Sequence, residues 1–170
     1  MPPEARVFAI HLDTGDWPVL EILYRREGLV AIRPVRGGAG PPAGRPPGWL
    51  ERLLADLSAY LGGEARDFAY VPLCLEGLTE FQRAVIEEMR RIPFGQRKTY
   101  GEMARALEAR GMGASPRAVG QACARNPFPL VVPCHRVTYA DGGLGGFTAP
   151  GGVDLKRRML ALEGLDAGVC

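Results

Sequence analysis

The sequence predicts an α+β protein, with a small N-terminal sheet domain over residues 1–77 and a mainly helical domain over residues 78–170. Runs such as 6–12 and 18–24 alternate apolar and polar side chains, a pattern typical of half-buried strands. Beyond residue 78, apolar side chains recur at helical spacing between short turns. This change of period sets the predicted boundary between the two domains.

The rest of the N-terminal half is predicted to contain a loop, a helix and one further strand. Residues 37–48 hold five glycines and four prolines, which cannot sustain a helix or a ladder of hydrogen bonds. A helix is predicted over 49–61, with apolar residues at 50, 53, 54, 57 and 61, and Gly62-Gly63 ends it. Residues 68–73 are predicted to form the additional strand.

Capping signals predict where the helices of the C-terminal half begin. Thr79-Glu80-Phe81-Gln82 and Thr99-Tyr100-Gly101-Glu102 both have the form of a capping box. Ser115 followed by Pro116 predicts another start, and a last helix is predicted from about Asp154 to Gly164. The two helices within about 100–125 fit either a helix-turn-helix or a plain helical hairpin.

Composition favours a folded, soluble, cytoplasmic protein. The chain has 170 residues and is 46% hydrophobic, which can supply a core and makes disorder improbable. No apolar run approaches the roughly 18 residues of a membrane span. The N-terminal segment also lacks the basic start and long apolar stretch of a signal peptide, so we expect no membrane association.

Positive charge is concentrated in one part of the chain. The net charge is only +2, but residues 1–77 carry 8 basic and 10 acidic side chains, whereas residues 78–170 carry 13 and 9. Residues 95–136 alone hold 7 basic and 2 acidic side chains. This segment contains the two central helices, so it could bind phosphates or could simply be a solvated basic face.

One of the four cysteines has a local context that suggests chemistry. Cys74, Cys123, Cys134 and Cys170 form no C-x-x-C pair, which argues against a disulfide framework or a zinc site. Cys134 precedes His135, and an imidazole or cation near a thiol favours the nucleophilic thiolate over the thiol, whose ordinary pKa is roughly 8.5. Neighbours in a strand point to opposite faces, so a bend or a bridging water would be needed to couple them.

Short motifs in the C-terminal half resemble a known family. They occur in the family's order: Phe81-Gln82, Ile92-Pro93-Phe94-Gly95, Thr99-Tyr100-Gly101-Glu102, Arg117-Ala118-Val119-Gly120, Asn126-Pro127, Pro133-Cys134-His135-Arg136-Val137, Gly145-Gly146-Phe147 and Leu160-Ala161-Leu162-Glu163-Gly164. The chain is similar here to the methylated-DNA–protein-cysteine methyltransferases, or O6-alkylguanine-DNA alkyltransferases. The resemblance covers about half the chain and implies that the N-terminal half is a ribonuclease H-like domain.

The resemblance implies a monomer that binds double-stranded DNA through the minor groove. The helix-turn-helix would place its second helix in the groove, and Arg117 would replace the flipped nucleotide in the base stack. Small residues of that helix, Ala118 and Gly120 among them, would allow close approach of the backbone, although they equally permit helix packing. Arg125 and Arg136 are expected to be phosphate contacts or structural pairs.

The resemblance also implies direct damage reversal without a cofactor. Cys134 would accept the alkyl group of O6-alkylguanine irreversibly, and O4-alkylthymine is left open as a second substrate. His135 would act as a base through a water, Glu163 would orient His135, and Tyr100 would assist base flipping and donate a hydrogen bond to guanine. A carboxylate is disfavoured at a helix C-terminus, so Glu163 also suggests a nearby cation or donor.

Further positions are matched to the family's pocket and hinge. Asn126, the chain's only asparagine, would tie the helix-turn-helix to the cysteine segment by side-chain hydrogen bonds to the backbone. The pocket would contain Val132, Val137, Phe147, Thr148 and Lys156. Two departures from the family pattern are a 148–153 segment about two residues longer, which puts the pocket width in doubt, and Cys123 in place of a larger apolar residue. The N-terminal half offers only His11 and Cys74, so no metal is expected.

Three other functions compete with alkyl transfer. An alkyltransferase-like protein would hold the flipped lesion without accepting its alkyl group, but such proteins lack the acceptor cysteine. A cysteine hydrolase using Cys134 and His135 would turn over repeatedly. A transcription regulator with a helix-turn-helix would bind DNA selectively by sequence.

Overall fold

A computed structural model describes residues 6–13, 15–35, 45–145, 147 and 151–165 of the chain. The fold is a mixed α/β arrangement of a small antiparallel sheet and five helices among these residues. In chain order the elements are β1 (Phe8–Leu12), β2 (Val19–Tyr24), β3 (Leu29–Val35), α1 (Gly48–Leu61), α2 (Glu80–Arg90), β4 (Lys98–Thr99), α3 (Tyr100–Glu108), α4 (Pro116–Ala124), β5 (Val137–Thr138) and α5 (Gly152–Leu162).

The N-terminal sheet is a meander in the order β1-β2-β3, with both pairs antiparallel. Alternate residues of β2 are buried, as the period-two pattern predicts, so one face of the sheet is turned to the core. The predicted strand over 68–73 is wrong. Its backbone makes one isolated bridge, between Leu73 and Leu29, because Arg90 engages the carbonyls of Phe68 and Val71.

Helix α1 contributes to the same core as this sheet, with Trp49 packed edge to face on Tyr24 of β2, and it ends where the sequence predicts. Its apolar stripe is buried except at Leu54, which is partly exposed, and Gly62 and Gly63 follow the helix, the latter at a φ of 95° that favours glycine. Most of the loop predicted over 37–48 lies outside the described residues, and its last residues, 45–47, lead into the helix. Tyr60 lies on the buried face of α1 together with the leucines.

Helices α2 and α3 both begin with complete capping boxes. The Thr79 hydroxyl accepts a hydrogen bond from the backbone N–H of Gln82, whose side chain accepts from the Thr79 N–H. Thr99 and Glu102 make the same reciprocal pair at α3. Each box satisfies donors that a helix end leaves without partners.

Helix α4 starts as predicted and packs beside α3. The Ser115 hydroxyl caps the N–H of Ala118, and Pro116 occupies the first turn. A short turn separates the two helices, with Gly111 at a φ of 78°. Strand β4 immediately precedes α3 and pairs in parallel with β5, which fixes the start of α3 beside the segment that follows Cys134.

The two halves of the chain share one continuous apolar core among the described residues. Strand β3 also joins the C-terminal half directly, since the Ile32 N–H donates to the carbonyl of Pro127 at 2.9 Å. No helix in the described part of the chain is both long and apolar enough to span a membrane. Within the same residues, no cluster of three or more His, Cys, Asp or Glu side chains could hold a metal ion.

The cap at Thr79 should be measurable in stability. Thr79→Ala is expected to lower the free energy of unfolding by about 1 kcal/mol, because the N–H of Gln82 loses its acceptor. Ser58→Ala removes a hydroxyl that bonds only the Leu54 carbonyl one turn back, and should change stability by less than about 0.5 kcal/mol. Urea unfolding with both variants checks this, and equal losses would contradict the capping role.

Candidate active site

Cys134 lies in a tight turn rather than in a strand. Residues Cys134–Arg136 form a single turn of 3-10 helix between Pro133 and β5, and all three side chains are buried. A bend therefore replaces the strand geometry that would have sent neighbouring side chains to opposite faces.

Asn126 braces the segment that leads to this turn. Its side-chain N–H donates to the Val132 carbonyl at 2.9 Å, and its side-chain oxygen accepts from the Phe128 N–H at 3.0 Å. Both bonds span the loop between α4 and Cys134. They account for an ordered backbone in a stretch that also includes Leu130 at a φ of 74°, a conformation costly for a branched side chain.

The carboxylate of Glu163 is the centre of a dense hydrogen-bond network. It follows α5 as the C-cap residue and is 5% exposed. Its Oε1 lies 2.6 Å from Nε2 of His135 and accepts from the Tyr60 hydroxyl at 2.5 Å. Arg136 donates to both carboxylate oxygens at 2.9–3.1 Å, and the Gly95 N–H donates to Oε2 at 3.1 Å.

These donors fix the ionisation of Glu163 and the tautomer of His135. Hydrogen bonds from His135, Arg136 and Tyr60 outweigh the effect of burial and lower the pKa of Glu163 to about 2. An ionised carboxylate only accepts, so Nε2 of His135 carries the proton and Nδ1 has the lone pair. Burial lowers the pKa of His135 although Glu163 opposes it, so the imidazole is neutral near pH 7.

The unpartnered atom of this network is Nδ1 of His135. It is buried and has no hydrogen-bond partner among the described residues. Buried polar atoms nearly always have a partner, so an acceptor held without one is characteristic of a working site. The lone pair of this nitrogen is therefore available to accept a proton.

The thiol of Cys134 is held protonated at rest. It is almost completely buried, and burial raises its pKa above the ordinary value. A hydrogen bond from the Asn126 side chain and the charge of Lys156 act in the opposite direction. A thiol in this state needs a base at the moment of reaction.

Lys156 and Tyr100 form the other side of the site. The Lys156 ammonium is buried and donates to the carbonyls of Val137, at 2.6 Å, and Leu144. It also lies 3.4 Å from the Tyr100 hydroxyl. Burial raises the pKa of Tyr100, which is therefore a neutral hydrogen-bond donor.

A cavity of about 430 Å³ opens at Cys134. Tyr100, Cys123, Phe147 and Lys156 line it from the C-terminal half, and β3 forms the opposite wall. Lining residues also include Ala31, Ile32, Arg33, Pro34 and Val35 of that strand. Of the other expected pocket residues, Val132 and Val137 are wholly buried beside the cavity rather than lining it, and Thr148 lies outside the described residues.

The residues expected to contact DNA fall into two groups. Arg117 and Arg125 are exposed at the two ends of α4, with Ala118 and Gly120 partly exposed between them. Arg136 is different, because its guanidinium is 5% exposed and bonded to Glu163 and to the Ile92 carbonyl at 2.6 Å. The expectation of Arg136 as a phosphate contact is therefore corrected to its alternative, a structural pair.

Tyr60 is a site residue that the sequence argument missed. It comes from the N-terminal half and was absent from the apolar stripe assigned to α1. Its spacing of three and seven residues from Leu57 and Leu53 was the available signal. A phenol on a buried helix face needs a polar partner, but the sequence does not indicate which one.

The fold and the site define an α/β protein in which a buried cysteine adjoins a histidine–carboxylate pair. A family model described as "6-O-methylguanine DNA methyltransferase, DNA binding domain" matches residues 80–165, about half of the chain. The chain belongs to this 6-O-methylguanine DNA methyltransferase family.

Individual relatives agree with this assignment. The methylated-DNA–protein-cysteine methyltransferase of Methanothermobacter thermautotrophicus is 45% identical to this chain over 120 residues. The alignment covers 71% of this chain and 64% of that protein, which is less than two thirds of the relative. A Thermus thermophilus protein named "DNA base-flipping protein" is 42% identical over 113 residues, covering 66% of this chain and 72% of that protein. The Mycobacterium tuberculosis O6-methylguanine methyltransferase has a TM-score of 0.75 at 32% identity and covers 93% of each chain. A structure of the M. tuberculosis protein in complex with DNA gives 0.74 at 33% identity, with 91% of each chain covered.

Two glycines on either side of Tyr100 should respond oppositely to alanine. A Cβ at Gly145, where φ is 70°, would lie 2.8 Å from the Tyr100 hydroxyl, so Gly145→Ala should lower the unfolding free energy by at least about 1 kcal/mol. A Cβ at Gly120 would meet the same ring at 3.8 Å, an ordinary contact within α4. Gly120→Ala should therefore raise stability by about 0.5–1 kcal/mol. Chemical unfolding of both variants tests the geometry, which equal effects would contradict.

Proposed function

We propose that this chain repairs DNA by direct reversal of damage, transferring the alkyl group of O6-alkylguanine to Cys134 without a cofactor. The observation that carries the proposal is the buried thiol at a cavity, next to a neutral His135 whose Nδ1 has no partner in the described structure. Each molecule acts once, because the thioether formed has no ready leaving group. O4-alkylthymine is a second candidate substrate.

The bonds and protons of the proposed transfer can be followed from Cys134 to the guanine. Nδ1 of His135, acting through one bridging water, takes the proton of Cys134, and the thiolate attacks the alkyl carbon. A bond forms between Sγ and that carbon while the bond from carbon to O6 breaks, and its electron pair stays on the guanine. The guanine then takes up one proton and is restored.

The charges around the site support this order of events. Glu163 is ionised and would stabilise the imidazolium as it forms, without itself accepting the proton. Arg136 compensates the carboxylate, so the resting pair is not a strong base. Burial raises the pKa of the Cys134 thiol, so the thiol needs a base that removes its proton during the reaction, and a neutral His135 can act as that base.

Tyr100 and Lys156 are placed to stabilise the guanine as it leaves. A neutral Tyr100 hydroxyl at the cavity can donate a hydrogen bond to the flipped guanine as negative charge develops on it. The Lys156 ammonium donates to the Tyr100 hydroxyl oxygen at 3.4 Å, and it keeps a positive charge close to the reacting atoms. Phe147 lines the same cavity and offers an apolar surface to the base.

DNA would reach this cavity through the minor groove, with α3 and α4 acting as a helix-turn-helix. The helix pair carries exposed Arg117 and Arg125 at the ends of α4 and small residues between them. The O6 group lies inside the base stack, so the nucleotide must be flipped, and Arg117 would fill the gap it leaves. The sequence supports this, because the 95–136 segment that contains both helices carries 7 basic and 2 acidic side chains.

The remaining assignments are part of the same proposal. Residues 1–77 would form a ribonuclease H-like domain, supported by the three-stranded meander followed by α1, and residues 78–170 the alkyltransferase domain. The protein would act as a cytoplasmic monomer on double-stranded DNA.

A base-flipping protein without transfer is the second candidate. It is favoured by the similarity to the Thermus thermophilus protein that bears that name. It would use the same helices and cavity, but it would leave the lesion intact. A buried Cys134 supported by Asn126 and adjoining His135 is unnecessary for such a protein, so we prefer transfer.

Mass spectrometry after mixing with O6-methylguanine DNA should find one methyl group per chain, located on Cys134. Cys134→Ser should abolish acceptance, because its hydroxyl is far less nucleophilic than a thiol. Cys123→Ser is the matched control, since Cys123 lines the same cavity with a pKa that burial raises to about 12. The control should still accept one methyl group.

Other outcomes would decide for the competing functions. Tight binding of methylated DNA with no change in protein mass would favour the base-flipping candidate. Methyl acceptance that survives Cys134→Ser would remove the assigned nucleophile. Repeated turnover of an ester or peptide would indicate a cysteine hydrolase.

Arg117 should matter for duplex DNA and not for the free base. Arg117→Ala is expected to slow transfer from duplex DNA by at least about tenfold, because flipping then costs more free energy. Transfer from free O6-benzylguanine should change less than about twofold, since that substrate needs no flipping. Single-turnover kinetics with both substrates checks the difference, and equal losses would exclude the assigned role.

Arg125→Ala is the comparison variant for charge alone. Arg125 lies at the opposite end of α4 and is exposed. Its loss should weaken DNA binding and reduce the salt dependence of that binding by one phosphate contact. At saturating DNA its transfer rate should stay near that of the unaltered chain.

A further inference from the structure

We infer that Tyr60 is a positioning residue of the alkyl-transfer site, where its hydroxyl sets how strongly Glu163 holds His135. The inference rests on the proposed transfer to Cys134 and adds a residue from the N-terminal half to it. Tyr60 belongs to α1 and is separated from Glu163 by 103 positions in the sequence.

Tyr60 contacts the same carboxylate oxygen of Glu163 that binds His135. The Tyr60 hydroxyl donates to Oε1 of Glu163 at 2.5 Å, and the same oxygen lies 2.6 Å from Nε2 of His135. The hydroxyl oxygen is also 3.1 Å from Nε2. Tyr60 and His135 therefore share one acceptor, and both are wholly buried.

The phenol is fixed in place by its surroundings. Its ring meets the rings of Phe68 and Phe94 edge to face, each with centroids 5.9 Å apart. Burial and the neighbouring Glu163 charge raise the pKa of Tyr60, so it keeps its proton over the working range. The hydroxyl thus donates to Glu163 at every pH at which the protein functions.

A shared acceptor weakens each of its bonds. Part of the negative charge on Oε1 is engaged by Tyr60 and by Arg136, which leaves less of it to stabilise a protonated His135. Tyr60 therefore keeps His135 neutral and able to accept the proton of Cys134. The bond to Glu163 is shorter than the contact with Nε2, so the effect through the carboxylate dominates.

The other charged groups that act on His135 are expected to keep their positions when the Tyr60 hydroxyl is removed. They are Arg136 from the turn that carries Cys134, Lys156 of α5 and Glu163 at the C-cap of α5. Arg136 and the Gly95 N–H still hold the carboxylate in place. Removal of the hydroxyl therefore isolates its own contribution.

Tyr60→Phe keeps the ring and removes only the hydroxyl. We expect the protonation midpoint of His135 to rise by about half a unit to one unit. On the acid side of the pH profile, the fall in transfer rate should shift to higher pH by the same amount. At a pH below the His135 midpoint, the rate of the variant should therefore be about three- to tenfold lower than that of the unaltered protein. NMR of the imidazole carbons measures the midpoint without any substrate, and His11, the chain's other histidine, is an internal reference.

Tyr70→Phe is the matched control. Tyr70 follows α1, and its hydroxyl donates at 2.7 Å to the carboxylate of Asp56 on that helix, which is the same kind of bond at a position that does not line the cavity. This variant should leave both the His135 midpoint and the pH profile unchanged. Single-turnover transfer from free O6-benzylguanine gives the pH profile without any contribution from DNA binding.

Replacement of Tyr60 by 3-fluorotyrosine should shift the His135 midpoint in the opposite direction. The fluorinated phenol is a stronger donor, so the His135 midpoint should fall below that of the unaltered protein. A midpoint that stays constant across both Tyr60 replacements, or that falls in Tyr60→Phe, would overturn the inference even if stability changes. Absence of methyl transfer by the unaltered chain would instead contradict the proposed function, because the NMR titration does not depend on activity.

Discussion

The structure depends on keeping one ionised carboxylate, that of Glu163, in the interior. A buried charge is tolerated only when hydrogen bonds replace the water it loses. Here the donors come from three separate parts of the chain: the last turn of α1, the turn before β4 and the turn that carries Cys134. Satisfying Glu163 therefore brings these parts together, and the position of Cys134 follows from that requirement.

This requirement also divides the arginines between two tasks. Arg136 compensates Glu163 in the interior, so its charge is not available at the surface for phosphates. Arg117 and Arg125, at the two ends of α4, are exposed, so their charges are available to phosphates. A count of basic residues along the sequence cannot make this distinction, because the basic segment 95–136 contains both kinds.

Local signals in the sequence predicted the helices well, since a capping box or a Ser-Pro start involves residues only three or four positions apart. They also predicted that Glu163 needs a donor or cation nearby, which Arg136 and Tyr60 supply. The strand over 68–73 was wrong because Arg90, distant in sequence, binds its carbonyls. Tyr60 was missed for the same reason, since its partner lies at the other end of the chain and only folding brings the two together.

The family model begins at residue 80, yet the site is completed by residues before it. Tyr60 supplies a donor to the buried carboxylate, and β3 supplies a wall of the cavity and a hydrogen bond to the loop before Cys134. Without them, Glu163 would hold one donor fewer and the cavity would be open to water, where a thiol and an imidazole return toward their ordinary pKa values. The N-terminal half therefore shapes the proposed transfer site through its dielectric and its hydrogen bonds, although Cys134 and His135, the proposed nucleophile and base, both lie in the C-terminal half.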